Sequence, residues 1–584
     1  MALSFTVALS PLSHALSPIN STQDGQIIKG GTFYNTATSQ TTFVNTASGD
    51  LWLQVGTTVR GLEVNSSGNL TNNGGNFLLS APGHVVRVDG NINVNGLLNG
   101  QGDYLGNGGK VTVNATYLYQ NGQIFAQGVN GGHAQFNVNS ATFGPQALVD
   151  AHASPGGLGG SIHIKASGVV DIKSGAVLLS NGVPGVDANV IEVIGGLVNN
   201  EGQVQADGIY AAQSTDANKA SAGILRLVAQ SNINLNPVAT ALTQAKVFNA
   251  AEKQSLFNRT HDLAKNYDGS IRNTGELSAN GNTLALPPNS TAFQGDGGTG
   301  GTIALSASRS ILNSGGINAN GGEGANAGNG GQITFRAGCL SRNDGQISAS
   351  GGSNNDEFGH GGTGGHITLN YLINKGSIAA YGGSTEYGGD GGRIDLSRIW
   401  NYGNIYATGG AGSSKFPNLG GLGGIINATN FVNEKDGALT ADGGNGSGFG
   451  GGNAGDGGIM TLTNFTNKGF VTVIGGGGGG ALYSYGGRGG RIIGNNVTNA
   501  GTIWALGGNS FGQAGSGGTM TFTKLQNSGT ITANGGEGIP GSDIKTTGGD
   551  GGLIKASQVT NTGTIQALGG PGDTNGHDGQ VILF

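Results

Sequence analysis

Few side chains in this 584-residue chain are placed to do covalent chemistry. Asp395 and Arg398 lie close together, the combination that polysaccharide lyases and hydrolases set on neighbouring strands as acid, base and charge partner. No matching acid follows at the equivalent place downstream. His360 and His366 lie near Asp356 and Glu357, but the nine histidines are otherwise scattered, and the group reads as a solvated loop with incidental imidazoles. The one cysteine, Cys339, can form no internal disulfide and has no matched histidine to activate it, so it is expected to pack. The glycine-aspartate loop at residues 388–392 has the composition of calcium-binding β-rolls, but not their tandem nine-residue units. Six glycines at residues 475–480 lack the Lys-Ser/Thr ending of a phosphate-binding loop. These readings predict no catalytic residue, no metal site and no cofactor. The remaining candidates are loop aromatics set among Gly, Asn and Ser: Phe358, Tyr387, Phe416, Phe449, Tyr483, Tyr485 and Phe511. Rings beside amides suit weak, multivalent binding of glycan or protein, and the alternative is that they fold back over the edge of the fold.

What must position them is a repeat. From about residue 297 each unit opens with Gly-Gly, one variable residue and an apolar anchor: Ile303, Ile333, Ile367, Ile394, Ile426, Met460, Ile492, Met520, Ile554 and Val581, spaced about 31 residues apart on average. Such a period marks a solenoid. A second pattern, Asn-x-Gly-x-Ile-x-Ala-x-Gly-Gly, follows within the unit, as at Asn374, Gly376, Ile378 and Ala380, and again at Asn401, Gly403, Ile405 and Ala407. Alternation at period two puts Ile and Ala on one strand face. The distance from anchor to asparagine is ten residues in the first two units and seven in every later one. The remaining length variation falls between the closing and the next opening Gly-Gly, which describes stacked strands joined by one variable loop per turn.

Within the repeat unit, helices are excluded by the missing 3.6-residue period and by the glycine pairs, each glycine costing about 1 kcal/mol in a helix. The fold class predicted is all-β, a right-handed parallel β-helix with turns stacked about 4.8 Å apart. Glycine pairs are expected to take positive φ at tight corners, and the recurring asparagine to stack as an amide ladder at another corner. Weaker copies run upstream: Asn121 to Ala126, Asn200 to Ala206 and Asn273 to Ala279 as second strands, Lys110-Val111 and Ser161-Ile162 as openings. Residues 224–268 contain no glycine, and 238–265 read as a short helical excursion after Asn236-Pro237.

Glycine makes up 120 of the 584 residues, and only 10% are charged, with a net charge of −6. That argues against a nucleic-acid grip. Glycine is not at every third position throughout, which excludes collagen. The apolar start from Ala2 to Leu12, followed by Ser13-His14-Ala15, reads as a signal peptide over residues 1–15, although no Lys or Arg precedes Lys29. No apolar run is long enough for a membrane span.

Residues 30–35 (Gly-Gly-Thr-Phe-Tyr-Asn), 42–45 (Thr-Phe-Val-Asn), 195–208 and 268–271 resemble, together with the signal-like start, the filamentous-haemagglutinin-like exoproteins of two-partner secretion. The Asn-Pro-Asn-Gly-type motif usual to that family's secretion module has no counterpart, and residues 85–91 occupy its place. The resemblance implies a secretion-module-like cap over residues 16–150, an irregular β-helix with the helical insertion over 151–296, and regular glycine-rich turns over 297–584. It also implies an outer-membrane transporter as partner and a location secreted from, or on the surface of, a Gram-negative cell. The function expected is a structural or adhesive rod, not an enzyme, whose loop edge meets a host or neighbouring-cell glycan or protein, with end-to-end self-association open to it. The alternative is a carbohydrate-active β-helix enzyme.

Overall fold

In the computed structural model the chain winds as a parallel β-helix with turns of about 31 residues and two short helices. The structure describes residues 109–128, 131–152, 160–181, 190–208, 222–245, 248–283 and 295–584, apart from loop tips at 355–358, 413–418, 448–451, 480–483 and 541–544. Of the first hundred residues it describes mainly strands, among them Thr42–Asn45 and Asn76–Val88. The proposed signal segment, residues 1–15, and the Gly30–Asn35 stretch lie outside the described residues.

One turn shows the plan. His366–Asn374 runs in the first sheet, bends at Tyr371 and ends at the asparagine corner; Ser377–Ala379 then runs in the second sheet. The pairings between successive turns are parallel, and in the regular turns they keep register, as in Ile367↔Ile394↔Ile426 and Ile378↔Ile405↔Leu439. The anchors therefore form one apolar column and the second-strand residues another, both buried until the last turn, where Val581 is exposed. Volumes compensate between turns. Gly494 leaves the space into which the Phe522 ring of the next turn packs, 2.4 Å from where a Cβ at Gly494 would stand. Phe431 and Phe465 stack with ring centroids 5.4 Å apart.

The corner asparagines form a ladder that is buried up to its exposed last member, Asn561. Each Nδ2 donates to the Oδ1 of the next: Asn200 to Asn273, then Asn313, Asn343, Asn374, Asn401, Asn433, Asn467, Asn499, Asn527 and Asn561, all at 2.7–2.9 Å. It begins at Asn200 because the preceding turn carries Ile172 in that register.

The glycine pairs do something other than expected. Among the described glycines only Gly83, Gly175 and Gly269 have positive φ; the bend of the first sheet is made instead by Tyr371, Arg398, Asn430, Asn464, Asn496 and Gln558 at φ 48–57°. Asparagine tolerates this left-handed conformation best among these residue types. Asn430, Asn464 and Asn496 also stack there as a second, exposed amide ladder.

The Gly-Gly pairs lie in two extended legs that leave and re-enter each turn, and their hydrogen bonds repeat every third residue. On the returning leg, Gly388 and Gly391 donate to Leu419 and Leu422 of the next turn, while Gly389 and Gly392 donate across to Gly383 and Ala380 of the outgoing leg. A period of three is that of polyproline II rather than of a strand. The two legs are stitched by a zigzag, Gly389 to Gly383, Gly410 to Gly389, Gly421 to Gly410 and Gly444 to Gly421, at 2.7–2.9 Å. A Cβ at Gly421 would sit 1.9 Å from the Gly389 carbonyl oxygen, so glycine is needed here for close backbone approach.

The helical excursion is two helices, α1 (Asn236–Gln244) and α2 (Ala250–Tyr267). They separate because Asn249 and Glu252 form a reciprocal capping box that starts a new helix. Both lie on the outer face of the first sheet. Val238, Ala241 and Leu242 pack against Val85 and Tyr117, and Leu263 and Ala264 against Val169 and Leu197.

Candidate functional site

The returning legs carry two exposed columns of side chains, one on each side of a glycine floor. In sequence the unit is X-Gly-Gly-X-Gly-Gly, with Ala or Asn replacing some floor glycines. The outer column includes Asn326, His360 and Tyr387, joined by parallel bridges, and then Asn453, Tyr485, Gln513, Thr547 and Thr574, likewise bridged. The second column, three residues on, includes Asp456, Arg488, Ser516, Asp550 and His577. Over the last five turns the two columns enclose a groove of about 660 Å³, floored by Gly486, Gly515 and Gly548. Five turns at about 4.8 Å spacing make it about 19 Å long. Three residues of polyproline II rise make it about 9 Å wide.

The second column has its own bonding rule. An Asp or Asn side chain accepts from the backbone N–H of the residue below it in the next turn: Asn329 from Thr363 at 2.9 Å, Asp390 from Leu422 at 2.8 Å, Asp456 from Arg488 at 2.7 Å and Asp550 from His577 at 2.8 Å. The bond from the His577 N–H, followed by that from its ring, holds the exposed Asp550 carboxyl below the ordinary carboxylate range. The outgoing legs follow the same rule through Asn320, Asp442, Asn445, Asn509 and Asn534. Burial raises the Asp442 carboxyl to about 6, against the opposing bonds from Ile474 N–H and Thr472.

The aromatic candidates divide. Tyr485 is half exposed and lines the groove. Tyr387 stands in the same column further up, its ring stacked on His360 with centroids 4.7 Å apart. Phe511 is partly buried beside Ser510 and does not line the groove. Phe358, Phe416, Phe449 and Tyr483 lie outside the described residues, as do Asp356 and Glu357. The groove's charged members, Asp456, Arg488, Asp550 and His577, were not singled out from sequence, although their place between glycine pairs would have marked them.

Carboxylates do gather elsewhere. Asp395 meets Arg393 rather than Arg398: it lies 2.6 Å from His366 Nε2 and 2.9 Å from Arg393 Nε, and accepts from Asn427 at 2.7 Å. Burial raises its carboxyl, and the bonds from Arg393, Asn427 and His366 more than reverse this. Under α2, Arg259 Nη2 donates to Asp171 and to Glu201 at 2.9 Å each, and Arg272 Nη1 donates to Glu201 at 2.9 Å. Asp171 is 2% exposed. This acidic pair is covered by a helix and neutralised by two arginines, an arrangement that locks the hairpin down.

No family model, curated protein or solved structure matches the chain. Among the described residues, no helix is long and apolar enough to cross a membrane.

Proposed function

We propose that this chain is a structural and adhesive β-helical exoprotein that binds an extended, hydroxyl-rich ligand, a glycan chain, along the groove on its glycine legs. The observation that carries this reading is the groove itself: a floor mostly of glycine, with Ala454, Ala514 and Asn575 between, bordered by amide, hydroxyl, carboxylate and phenol groups at the turn spacing. Such a surface offers each successive sugar the same kind of hydrogen bonds, and Tyr485 adds a ring for stacking. Secretion by a two-partner route, with an outer-membrane transporter and a Gram-negative cell surface as destination, accords with the resemblance of residues 30–45 and 195–208 to filamentous-haemagglutinin-like proteins.

The test is retention of the purified chain on a glycan array, with product analysis on every polymer retained. Retention without cleavage, lost in Tyr485→Ala, is the expected result. Chain shortening or unsaturated ends would instead support a carbohydrate-active enzyme and direct mutagenesis to Asp395 and to the Asp171–Glu201 pair.

A further inference from the structure

Within the groove one charge is left without a counterpart. Arg488 is exposed, and among the described residues its guanidinium meets no carboxylate. Both neighbouring aspartates are committed to backbone: Asp456 accepts from the Arg488 N–H, and Asp550 from His577. The rule that supplies those bonds fails at two turns in succession. Neither the arginine above Ser516 nor the serine above Asp550 caps the N–H below it. Among the described residues these two amides therefore have no intramolecular partner, unlike those of Arg488 and His577. The centre of the groove thus presents a planar cationic fork followed by two open N–H donors, the first beside the Ser516 hydroxyl and the second beside the Asp550 carboxylate.

We infer that this centre takes a carboxylate carried by a glycan, so that the ligand is a uronate-bearing polysaccharide; the inference rests on the reading of the groove as a glycan site. A guanidinium matches a carboxylate in two parallel bonds, and N–H donors at the next turns suit its ring and glycosidic oxygens. One cation standing between two aspartates disfavours a densely sulfated chain, which would place further anions over Asp456 and Asp550. The acid is therefore isolated between neutral sugars. An acidic peptide fits less well, because strand addition needs a row of free N–H and C=O groups. The glycine N–H groups of the legs are spent on neighbouring turns and on the partner leg, which leaves single open amides three residues apart and no continuous row.

Hyaluronan, its methyl ester and dextran sulfate are the probes, each tested by biolayer interferometry against the full chain. Hyaluronan should bind at least about tenfold more tightly than its ester. Arg488→Gln should abolish that difference, chiefly by weakening hyaluronan binding at least about tenfold. Ser516→Pro, which removes one open donor at a backbone position of polyproline II type, should weaken both, with circular dichroism confirming the fold. Equal binding of acid and ester, or preference for dextran sulfate, overturns the carboxylate assignment and leaves the groove reading standing. Absence of binding to any polymer, neutral polymers on the array included, overturns both.

Discussion

At the scale of single residues, the same amide chemistry serves in two environments, and its worth differs between them. In the buried ladder, Asn433 donates to Asn467 at 2.9 Å and accepts from Asn401 at 2.8 Å, while its Nδ2 also reaches the Gly437 carbonyl. Replacing it with leucine strands a donor on one side and an acceptor on the other. Asn433→Leu should cost about 2–4 kcal/mol, read as loss of hydrogen-exchange protection in the turns around residues 401 and 467. Asn464, on the exposed ladder at φ 48°, is held by backbone geometry instead. Asn464→Gly should be nearly neutral and Asn464→Val destabilising by about 1–2 kcal/mol in denaturant melts. Asp442 stands in a leg column otherwise rich in Asn, with its carboxyl raised to about 6. A group whose pKa is raised on folding favours the folded state below its unfolded value near 4, and that contribution is lost as pH rises to 6 and beyond. Asp442→Asn keeps the acceptor for Ile474 and removes the titration. The variant should be more stable at pH 7 by about 1–2 kcal/mol and show a flatter melting profile between pH 4 and 7.

At the scale of elements, the legs depend on glycine at the stitched positions and tolerate variation between them. Gly421→Ala drives a methyl into the Gly389 carbonyl and should open the legs locally, exposing residues 409–424 to protease. Thr363→Ala, between glycine pairs, should leave the protease pattern unchanged. This contrast explains what could be read from sequence. The strands and their register were legible because Ile and Ala at period two leave only one way to bury the anchors, and the ladder because Asn recurs at one place per turn. The legs were not, because X-Gly-Gly-X-Gly-Gly resembles an ordinary flexible turn until the partner leg and the next turn supply hydrogen bonds at period three. The helical pair was visible as a glycine-free stretch, but its division at Asn249 depends on one reciprocal cap. Its docking on Val85 and Tyr117, more than a hundred residues upstream, left no local trace. Likewise, Arg488 draws meaning only from Ser516 and Asp550, which adjoin it through stacking.

At the scale of the whole molecule, each turn touches mainly its two neighbours, so stability is a sum over turns and their interfaces. Excising residues 425–458 joins Gly424 to Ile459 and preserves every register, since Ile425 and Ile459 are partners. The shortened chain should fold with an unchanged circular dichroism spectrum per residue and lose about 4.8 Å of length in small-angle scattering. The hydrogen bonds between turns also have a sense. In the buried ladder each Nδ2 points toward the next asparagine, in the exposed ladder toward the preceding one, and each capping carboxylate or amide accepts from an N–H belonging to the following turn. A turn already in place therefore offers its successor ready-made docking groups on both the buried corner and the outer leg. Each turn is in effect a mould for the layer beside it. Winding can advance layer by layer from any turn already formed while residues further along are still unfolded.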